Sequence, residues 1–136
     1  MSKRIVPVLL SVYIFLLLVF TVFGRSISIS APQVNLFWSY KEWFSGNWNT
    51  GKQILGNIAM FVPLGFLSAS LRSRRTRLSV VIISIATSLL IETLQLVMHR
   101  GLFEFDDVLN NTIGGVIGGE LYTVFRTYPK IEKSVV

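Results

Sequence analysis

Carboxylate, amide and glycine residues occur in two stretches of this chain that are otherwise apolar enough to face lipid. The first stretch contains Glu92 and Gln95, and the second runs from Asp107 through Asn110 and Asn111 to a group of glycines. Ionisable groups are costly inside a bilayer, so their presence there is by default a functional hypothesis. Glu92 and Asp107 are therefore the first candidates for acid–base chemistry or for binding a polar ligand.

The composition predicts the bilayer setting. The 136 residues are 51% hydrophobic and 15% charged, and the mean hydropathy is +0.60; a soluble chain of this size could not bury so much apolar surface. No cysteine is present, which excludes a disulfide framework, a thiolate metal site and a cysteine nucleophile. The net charge of +6 comes from short basic clusters beside apolar runs, which is typical of topology signals and not of nucleic-acid binding.

Four apolar runs have the length of about 20 residues that a transmembrane helix needs. They cover about residues 5–23, 54–71, 78–98 and 108–125. The first run is longer than a signal-peptide core and lacks a small-x-small cleavage pattern, so we expect it to remain as a helix. The sequence thus predicts an all-α integral membrane protein with four transmembrane helices, forming a single domain over residues 1–136.

The basic residues near these runs predict the topology, since cytoplasmic loops retain positive charge. They lie before the first run, between the second and third, and after the fourth: Lys3, Arg4, Arg72, Arg74, Arg75, Arg77, Arg126, Lys130 and Lys133. Both termini are therefore expected on the cytoplasmic side. The loops of about residues 24–53 and 99–106 are expected on the outer side.

The long outer loop contains an aromatic segment between the first and second helices. Helical spacing gives it one apolar and aromatic face, formed by Leu36, Phe37, Tyr40, Trp43 and Phe44. Such an amphipathic face could anchor the segment at the membrane surface, where Trp and Tyr rings prefer to lie. It could instead form a lid over a site between the helices.

Helical spacing also brings polar residues of three predicted helices to a similar depth. At a rise of about 1.5 Å per residue, Glu92 lies about 21 Å above the cytoplasmic end of the third helix, in the outer part of a hydrocarbon core about 30 Å thick. His99 follows on the same helical face. We therefore expect an outer polar cluster formed by Asn57, Glu92, Gln95, Asp107 and Asn111.

Each of these polar residues also has a structural explanation. Glu92 could pair with Arg100 or accept a hydrogen bond from a neighbouring amide, because polar groups in the membrane must be satisfied by neighbours. Asp107 and Asn57 could cap the helices that they begin. His99 and Arg100 could be ordinary interfacial residues. As a set, His99 and Arg100 above the two carboxylates would suit recognition of a lipid phosphate or carboxylate.

The glycines of the fourth helix form two overlapping small-xxx-small patterns. Gly114 pairs with Gly118, and Gly115 pairs with Gly119. Such patterns let helix backbones approach closely, so we expect the fourth helix to pack against the second or third. Pro63 removes a backbone donor from the second helix and would kink it or open its middle.

Several spaced motifs, in this order, resemble those of the VanZ-like membrane proteins. They are Gly56-Asn57, residues 61–66, Glu92-Thr93-Leu94-Gln95, Arg100 and residues 107–115. The resemblance covers most of the chain after Val34, although Phe37-Trp38 replace the proline and phenylalanine expected after Asn35-Leu36. It implies a small helical protein of the bacterial cell membrane. The family's name-giving member is associated with teicoplanin resistance, without remodelling of the peptidoglycan termini that the drug binds, and no agreed biochemical activity comes with the family.

Three functions are compatible with these observations. The first is a non-enzymatic envelope protein whose outer polar pocket binds a lipid-linked cell-wall component or the glycopeptide antibiotic. The second is a membrane enzyme in which Glu92 or Asp107 acts as general acid or base and His99 or Arg100 stabilises a phosphate, around a divalent metal in one version; no nucleophile or paired metal-ligand motif accompanies them. The third is a structural subunit that uses the glycine stripe as its contact surface. We expect the bilayer as partner, no cofactor and no nucleic acid, and leave homo-oligomerisation open.

Overall fold

The described part of the chain is helical apart from short loops. The computed structural model describes residues 5–25, 27, 32–71 and 76–132. Its α-helices are α1 (Ile5–Leu18), α2 (Trp38–Phe44), α3 (Trp48–Ser70), α4 (Thr76–Val97) and α5 (Phe105–Glu132). Several basic residues used for the topology prediction lie outside the described residues: Lys3, Arg4, Arg72, Arg74, Arg75 and Lys133.

Long helices occupy all four predicted spans, which confirms the all-α prediction for the described residues. Within these residues, three helical stretches are long and apolar enough to cross a bilayer: Ile5–Phe23, Trp48–Ser70 and Arg77–Val97. The fourth long helix, α5, has 28 residues but a more polar composition. A fourth crossing and the cytoplasmic location of the termini therefore stay predictions.

The first helix changes its winding before it ends. α1 continues from Val19 to Phe23 as a π-helical turn, which is followed by Gly24. Turns of this kind are rare and often occur at functional sites. The backbone carbonyl of Thr21, within the turn, accepts a hydrogen bond of 3.0 Å from Gln95 Nε2. The π-helical turn therefore joins the end of the first helix to α4.

α3 is the central helix of the bundle, because it contacts α1, α2, α4 and α5. It begins at Trp48, directly after Asn47, whose side chain accepts a hydrogen bond from the Thr50 amide and so acts as an N-cap. Pro63 lies at an exposed position inside α3. The helix continues on both sides of Pro63, so the middle of α3 stays helical.

The apolar core lies where α1, α3 and α4 meet. It is formed by buried residues of these helices: Leu10, Leu17, Phe61, Leu64 and Ile91. Inside a bilayer such contacts stabilise the bundle through van der Waals packing, because lipid tails are as apolar as these side chains. The Tyr13 hydroxyl of α1 donates a hydrogen bond of 2.7 Å to the backbone carbonyl of Met60 in α3. This bond fixes the position of α1 along α3.

The glycines of α5 are used for contacts within the chain. A Cβ atom on Gly118 would collide with the backbone carbonyl of Val62 in α3, and Gly114 approaches α3 in the same way. A Cβ atom on Gly115 would collide with the Ser84 hydroxyl of α4. α5 thus fits closely against two helices at once. The glycine stripe is consequently not a free surface for a second protein.

The segment that leads to α2 is joined to the loop between α4 and α5. Gln33 forms an isolated parallel bridge with Glu104. The Gln33 amide donates a hydrogen bond of 2.8 Å to the carbonyl of Phe103, and the Gln33 carbonyl accepts one of 3.3 Å from the amide of Phe105. We refer to this end of the bundle, which carries α2 and residues 98–105, as the α2 end.

Candidate functional site

A cavity of about 190 Å³ lies among the first helix, α3, α4 and α5 near the α2 end. Its lining contains all five residues of the predicted polar cluster, namely Asn57, Glu92, Gln95, Asp107 and Asn111. It also contains Arg25, which the sequence prediction left in the outer loop. We refer to this space as the polar cavity. The structure therefore brings together residues that lie up to 91 positions apart, since Phe20 and Asn111 both line it.

Asp107 forms an ion pair with Arg25 at the polar cavity. The distance between Arg25 Nη2 and Asp107 Oδ2 is 3.3 Å. The Arg25 side chain is 35% exposed and the Asp107 side chain is 8% exposed, so Arg25 marks the more accessible side of the cavity. Asp107 lies in the first turn of α5, where a carboxylate also interacts favourably with the helix dipole. Asp107 is the third residue of α5, and its side chain accepts from Arg25 and from no backbone amide among the described residues, so the predicted N-cap is not formed.

Glu92 is 1% exposed and has a backbone donor as its partner. Its Oε2 atom accepts a hydrogen bond of 3.0 Å from the amide of Glu104 in the loop between α4 and α5. Arg100, the partner that the sequence suggested, does not form an ion pair with Glu92 among the described residues. The arrangement leaves one cavity-lining carboxylate without a cation of its own.

Three amide side chains of the polar cavity each have a buried atom without a hydrogen-bond partner among the described residues. Gln95 Nε2 donates to the Thr21 carbonyl, and Asn111 Nδ2 donates 2.8 Å to the Ser88 hydroxyl. The atoms left without partners are Gln95 Oε1, Asn111 Oδ1 and Asn57 Nδ2. An unsatisfied buried polar atom costs about 1–3 kcal/mol. Their concentration around one cavity therefore favours a bound polar ligand or water at this position.

His99 and Arg100 lie beside the polar cavity and do not line it. The exposed His99 adopts a left-handed backbone with φ 53°. The Arg100 amide donates 2.8 Å to the Gln95 carbonyl, which ends α4 in the manner of a Schellman motif. The Arg100 guanidinium lies 5.4 Å from the centre of the Phe23 ring and 3.4 Å from the carbonyl of Phe23. These contacts hold the end of the first helix against α4.

Asp106, which the sequence analysis did not single out, fixes the outer helix α2. It is fully buried. Its Oδ1 atom accepts a hydrogen bond of 2.6 Å from the amide of Phe37. Its Oδ2 atom accepts one of 2.9 Å from the Ser39 amide and one of 2.6 Å from the Ser39 hydroxyl. Carboxylates that accept free amides at a helix start act as N-caps, and this cap comes from a distant part of the chain. The Asp106-Asp107 pair at the start of α5 is the signal that could have indicated it.

The aromatic segment has two differently placed groups of side chains. Leu36, Phe37 and Phe44 are more than half exposed. Tyr40 points inward, because its hydroxyl donates a hydrogen bond to Asn110 Oδ1, and Trp43 packs on Gly51 of α3. No residue of α2 belongs to the described lining of the polar cavity. The segment therefore packs against the bundle next to the cavity and leaves an apolar surface outward.

Glu104 connects the polar cavity to the outer loop. The Glu104 amide donates a hydrogen bond to Glu92, and the Glu104 backbone forms the parallel bridge with Gln33. Burial of the Glu104 side chain, together with the nearby carboxylates of Asp107 and Asp106, raises its pKa from 4.5 to about 7, although Arg25 opposes this shift. The α2 end therefore contains a carboxyl group that titrates close to neutral pH.

Most of the chain matches a known protein family. A family model described as VanZ/LLP1 matches residues 10–126, a range that includes every residue lining the polar cavity. No curated protein and no solved structure matches the chain.

Proposed function

Because this chain belongs to the VanZ/LLP1 family, we propose that it is a non-enzymatic cell-envelope membrane protein that contributes to low-level teicoplanin resistance. In this proposal the polar cavity faces the outer side of the membrane and binds part of a lipid-linked cell-wall component. Binding alters what reaches the cell surface and so reduces the effect of the antibiotic. The resistance element comes from the family resemblance, and the binding element comes from the geometry of the cavity.

The observation that carries the proposal is the convergence of buried polar residues on one space. Glu92, Asp107 and Arg25 come from three different parts of the chain and all line the polar cavity. Three unsatisfied amide atoms surround the same space. Ionisable groups at such a position are costly in a membrane protein and usually mark a functional site. Close helix packing accounts for the glycines, but it does not account for these residues.

The size of the polar cavity favours part of a lipid-linked molecule over the whole antibiotic. Its volume is about 190 Å³, whereas pockets for drug-sized ligands are typically about 300–1,000 Å³. A glycopeptide antibiotic is larger than such ligands and could not enter. A small polar group at the end of a lipid-linked precursor could enter while the rest of the molecule stays outside.

A membrane enzyme is the second candidate, because two carboxylates line the same cavity. Glu92 or Asp107 would act as general acid or base, and Arg25, rather than His99 or Arg100, would be the residue placed to stabilise an anion. Within the described residues, no group of three or more His, Cys, Asp or Glu side chains is placed to hold a metal ion. Turnover of lipid-linked cell-wall precursors by the purified protein would favour this candidate, whereas binding without product formation favours the first.

Teicoplanin susceptibility tests the proposal directly. Cells that express the wild-type chain, Glu92→Gln or Asp107→Asn are compared, and the membrane level of each protein is measured in parallel. We expect the wild type to protect and both variants to return susceptibility to that of cells without the protein, because each variant replaces an ionisable carboxyl group of the cavity by an amide of nearly the same shape. Glu120→Gln is the matched control, since Glu120 pairs with Arg77 at 2.7 Å away from the cavity.

The alternatives give different results in this experiment. Equal protection by all variants would mean that the polar cavity has no part in resistance. Loss of the variant proteins from the membrane would indicate that the two carboxylates serve folding. Protection by none of the proteins, the wild type included, would contradict the resistance element of the proposal.

A further inference from the structure

We infer that the polar cavity binds a primary ammonium group, such as the amine of an ethanolamine headgroup or of an amino-acid side chain on a lipid-linked peptide. This inference rests on the proposed binding function and specifies its ligand class. It differs from the phosphate or carboxylate that the sequence suggested, because the residues expected to bind an anion, His99 and Arg100, do not line the cavity.

The charge of the lining favours a cation. Glu92 and Asp107 line the cavity, and Arg25 is the cation among its lining residues. Arg25 is already paired with Asp107, so Glu92 has no cation of its own within the described lining. Because Arg25 and Asp107 balance each other, an entering anion would find no free cation in the described lining, whereas an ammonium ion could pair with the carboxyl group of Glu92.

The hydrogen-bonding groups of the lining favour a donor, because two of the three unpaired amide atoms, Gln95 Oε1 and Asn111 Oδ1, are acceptors. The third, Asn57 Nδ2, is a donor that lies beside the Asp107 carboxyl group. The orientation of Gln95 is fixed, because Nε2 contacts the Thr21 carbonyl, which can only accept. Gln95 Oε1 must then be the atom left without a partner, and Gln95 is 1% exposed. The carboxylate oxygens of Glu92 and Asp107 are acceptors as well. An ammonium group supplies three donors and no acceptor, whereas a phosphate would bring only further acceptors.

The size of the cavity suits a headgroup amine. A volume of about 190 Å³ corresponds to roughly six water molecules at about 30 Å³ each. An aminoethyl group and a water or two would fill such a space. Arg25, on the more accessible side and 35% exposed, is placed to meet the phosphate that follows the amine in an ethanolamine lipid.

The test compares lipids that differ only at the amine. The purified full chain in detergent micelles is mixed with phosphatidylethanolamine, N-acetyl-phosphatidylethanolamine or phosphatidylglycerol, and the bound lipid is measured by native mass spectrometry. We expect phosphatidylethanolamine to bind about tenfold more tightly than its N-acetyl form, because charge-assisted hydrogen bonds to two carboxylates are lost on acetylation. Equal binding of the two lipids would overturn the inference. This comparison uses the wild type alone, so it stands even if a variant fails to fold.

Variants assign the selectivity to the cavity. Glu92→Gln should abolish the preference for the amine, and Glu120→Gln, at the exposed pair with Arg77, should leave it unchanged. Asn111→Asp adds a carboxylate of the same shape, and the Ser88 hydroxyl can donate to it in place of the present contact. We expect this variant to tighten ammonium binding, a gain that a purely structural role would not produce. An unchanged preference in Glu92→Gln would place the amine site elsewhere.

Competition separates the sources of the amine and the two proposals. If free methylammonium displaces the lipid, the cavity recognises the ammonium group itself, and amines of lipid-linked peptides are ligands as well. If it does not displace the lipid, binding requires the lipid, and the ligand class is restricted to the ethanolamine headgroup. Resistance that depends on Glu92 without any preference for the amine would keep the proposed function and overturn this inference. An amine preference without an effect on susceptibility would support this inference and contradict the proposed role in resistance.

Discussion

Carboxylates that are close in sequence have different partners at the α2 end. Asp106 accepts three hydrogen bonds from the start of α2, and Asp107, the next residue, pairs with Arg25 at the polar cavity. Successive residues of a helix point about 100° apart, so the two side chains diverge toward different elements. Glu92 and Glu104 are linked through a backbone amide. These four acidic residues therefore connect α2, the end of the first helix and the α4–α5 loop at the α2 end.

Glu104 makes the stability of this region depend on pH. Its pKa is raised from 4.5 to about 7, so the folded protein binds this proton more tightly than the unfolded chain does. The contribution of Glu104 to the free energy of unfolding is therefore fully present below about pH 4.5, falls as the pH rises to about 7, and is constant above that value. We expect the thermal midpoint of the wild type minus that of Glu104→Gln, measured in detergent, to decrease over this range.

The control for this titration is Glu42→Gln, which changes an exposed carboxylate on α2. It shows what the loss of a single exposed charge does to the melting curves. A wild-type minus Glu104→Gln difference that is constant from pH 4.5 to 7.5 would contradict the raised pKa. An increase with pH would mean that the carboxylate is stabilised in the fold, for example by a stronger contact with Arg25.

Helical spacing was sufficient to predict part of the lining of the polar cavity. Asn57, Glu92 and Gln95 lie on long helices, where depth follows from residue number, and the structure brings them to one cavity. Arg25 and Asp106 could not be assigned in this way. The position of Arg25 depends on the path of the chain after the π-helical turn, and the partner of Asp106 is an amide about 70 residues earlier. Such long-range contacts in loops leave no periodic signal in the sequence.

At the scale of the elements, α5 shows why a helix can be less apolar and still lie in the bundle. Its amides and glycines face other helices: Asn110 accepts from Tyr40 of α2, Asn111 donates to Ser88 of α4, and Gly114 lies against the backbone of α3. Between residues 113 and 125 its exposed large side chains are apolar: Ile113, Val116, Ile117, Leu121, Val124 and Phe125. An average over the helix mixes these two faces and underestimates the apolar character of the outer one. The four predicted spans therefore coincide with four long helical stretches, whereas average hydropathy identifies only three of these stretches as candidate membrane spans within the described residues.

The contact between α5 and α3 depends on the absence of a side chain at Gly118. A Cβ atom there would meet the Val62 carbonyl and the Phe66 amide, and backbone cannot move aside as a flexible side chain can. We expect Gly118→Ala to lower the free energy of unfolding by about 1–3 kcal/mol, the usual cost of overpacking. Unfolding of the purified protein in mixed micelles with increasing denaturing detergent measures this change.

Gly56→Ala is the matched control on the neighbouring helix α3. Apart from the adjacent residues and the nearby backbone of α3 itself, no atom lies within 4 Å of a Cβ built at Gly56, so the substitution meets no obstacle. It should keep the stability or raise it by about 0.5–1 kcal/mol, because alanine loses less backbone entropy than glycine on forming a helix. Equal effects of the two substitutions would contradict the close approach of α5 to α3.

At the scale of the whole molecule, the bundle places its polar cavity and its apolar surface in different regions. Buried ionisable residues collect at the α2 end, and the described lateral surface is largely apolar. α5 is 28 residues long, or about 42 Å at about 1.5 Å per residue, which exceeds a hydrocarbon core of about 30 Å. These properties support a fourth crossing. With four crossings and cytoplasmic termini, the α2 end and its cavity would face outward.

The absence of cysteine from the natural sequence allows a direct test of this topology. Ser45→Cys places a thiol at an exposed position just after α2, and Thr127→Cys places one at an exposed position near the other end of α5. We expect a membrane-impermeant maleimide to label Ser45→Cys in intact cells and to label Thr127→Cys only after the cells are permeabilised. The unmodified chain is the control, because it should not be labelled at all.

Labelling of both thiols in intact cells would mean that α5 does not cross the membrane, since three crossings place the end of α5 on the same side as α2. Labelling of Thr127→Cys alone would reverse the predicted orientation, and the polar cavity would then face the cytoplasm, where it could not meet a ligand at the outer surface.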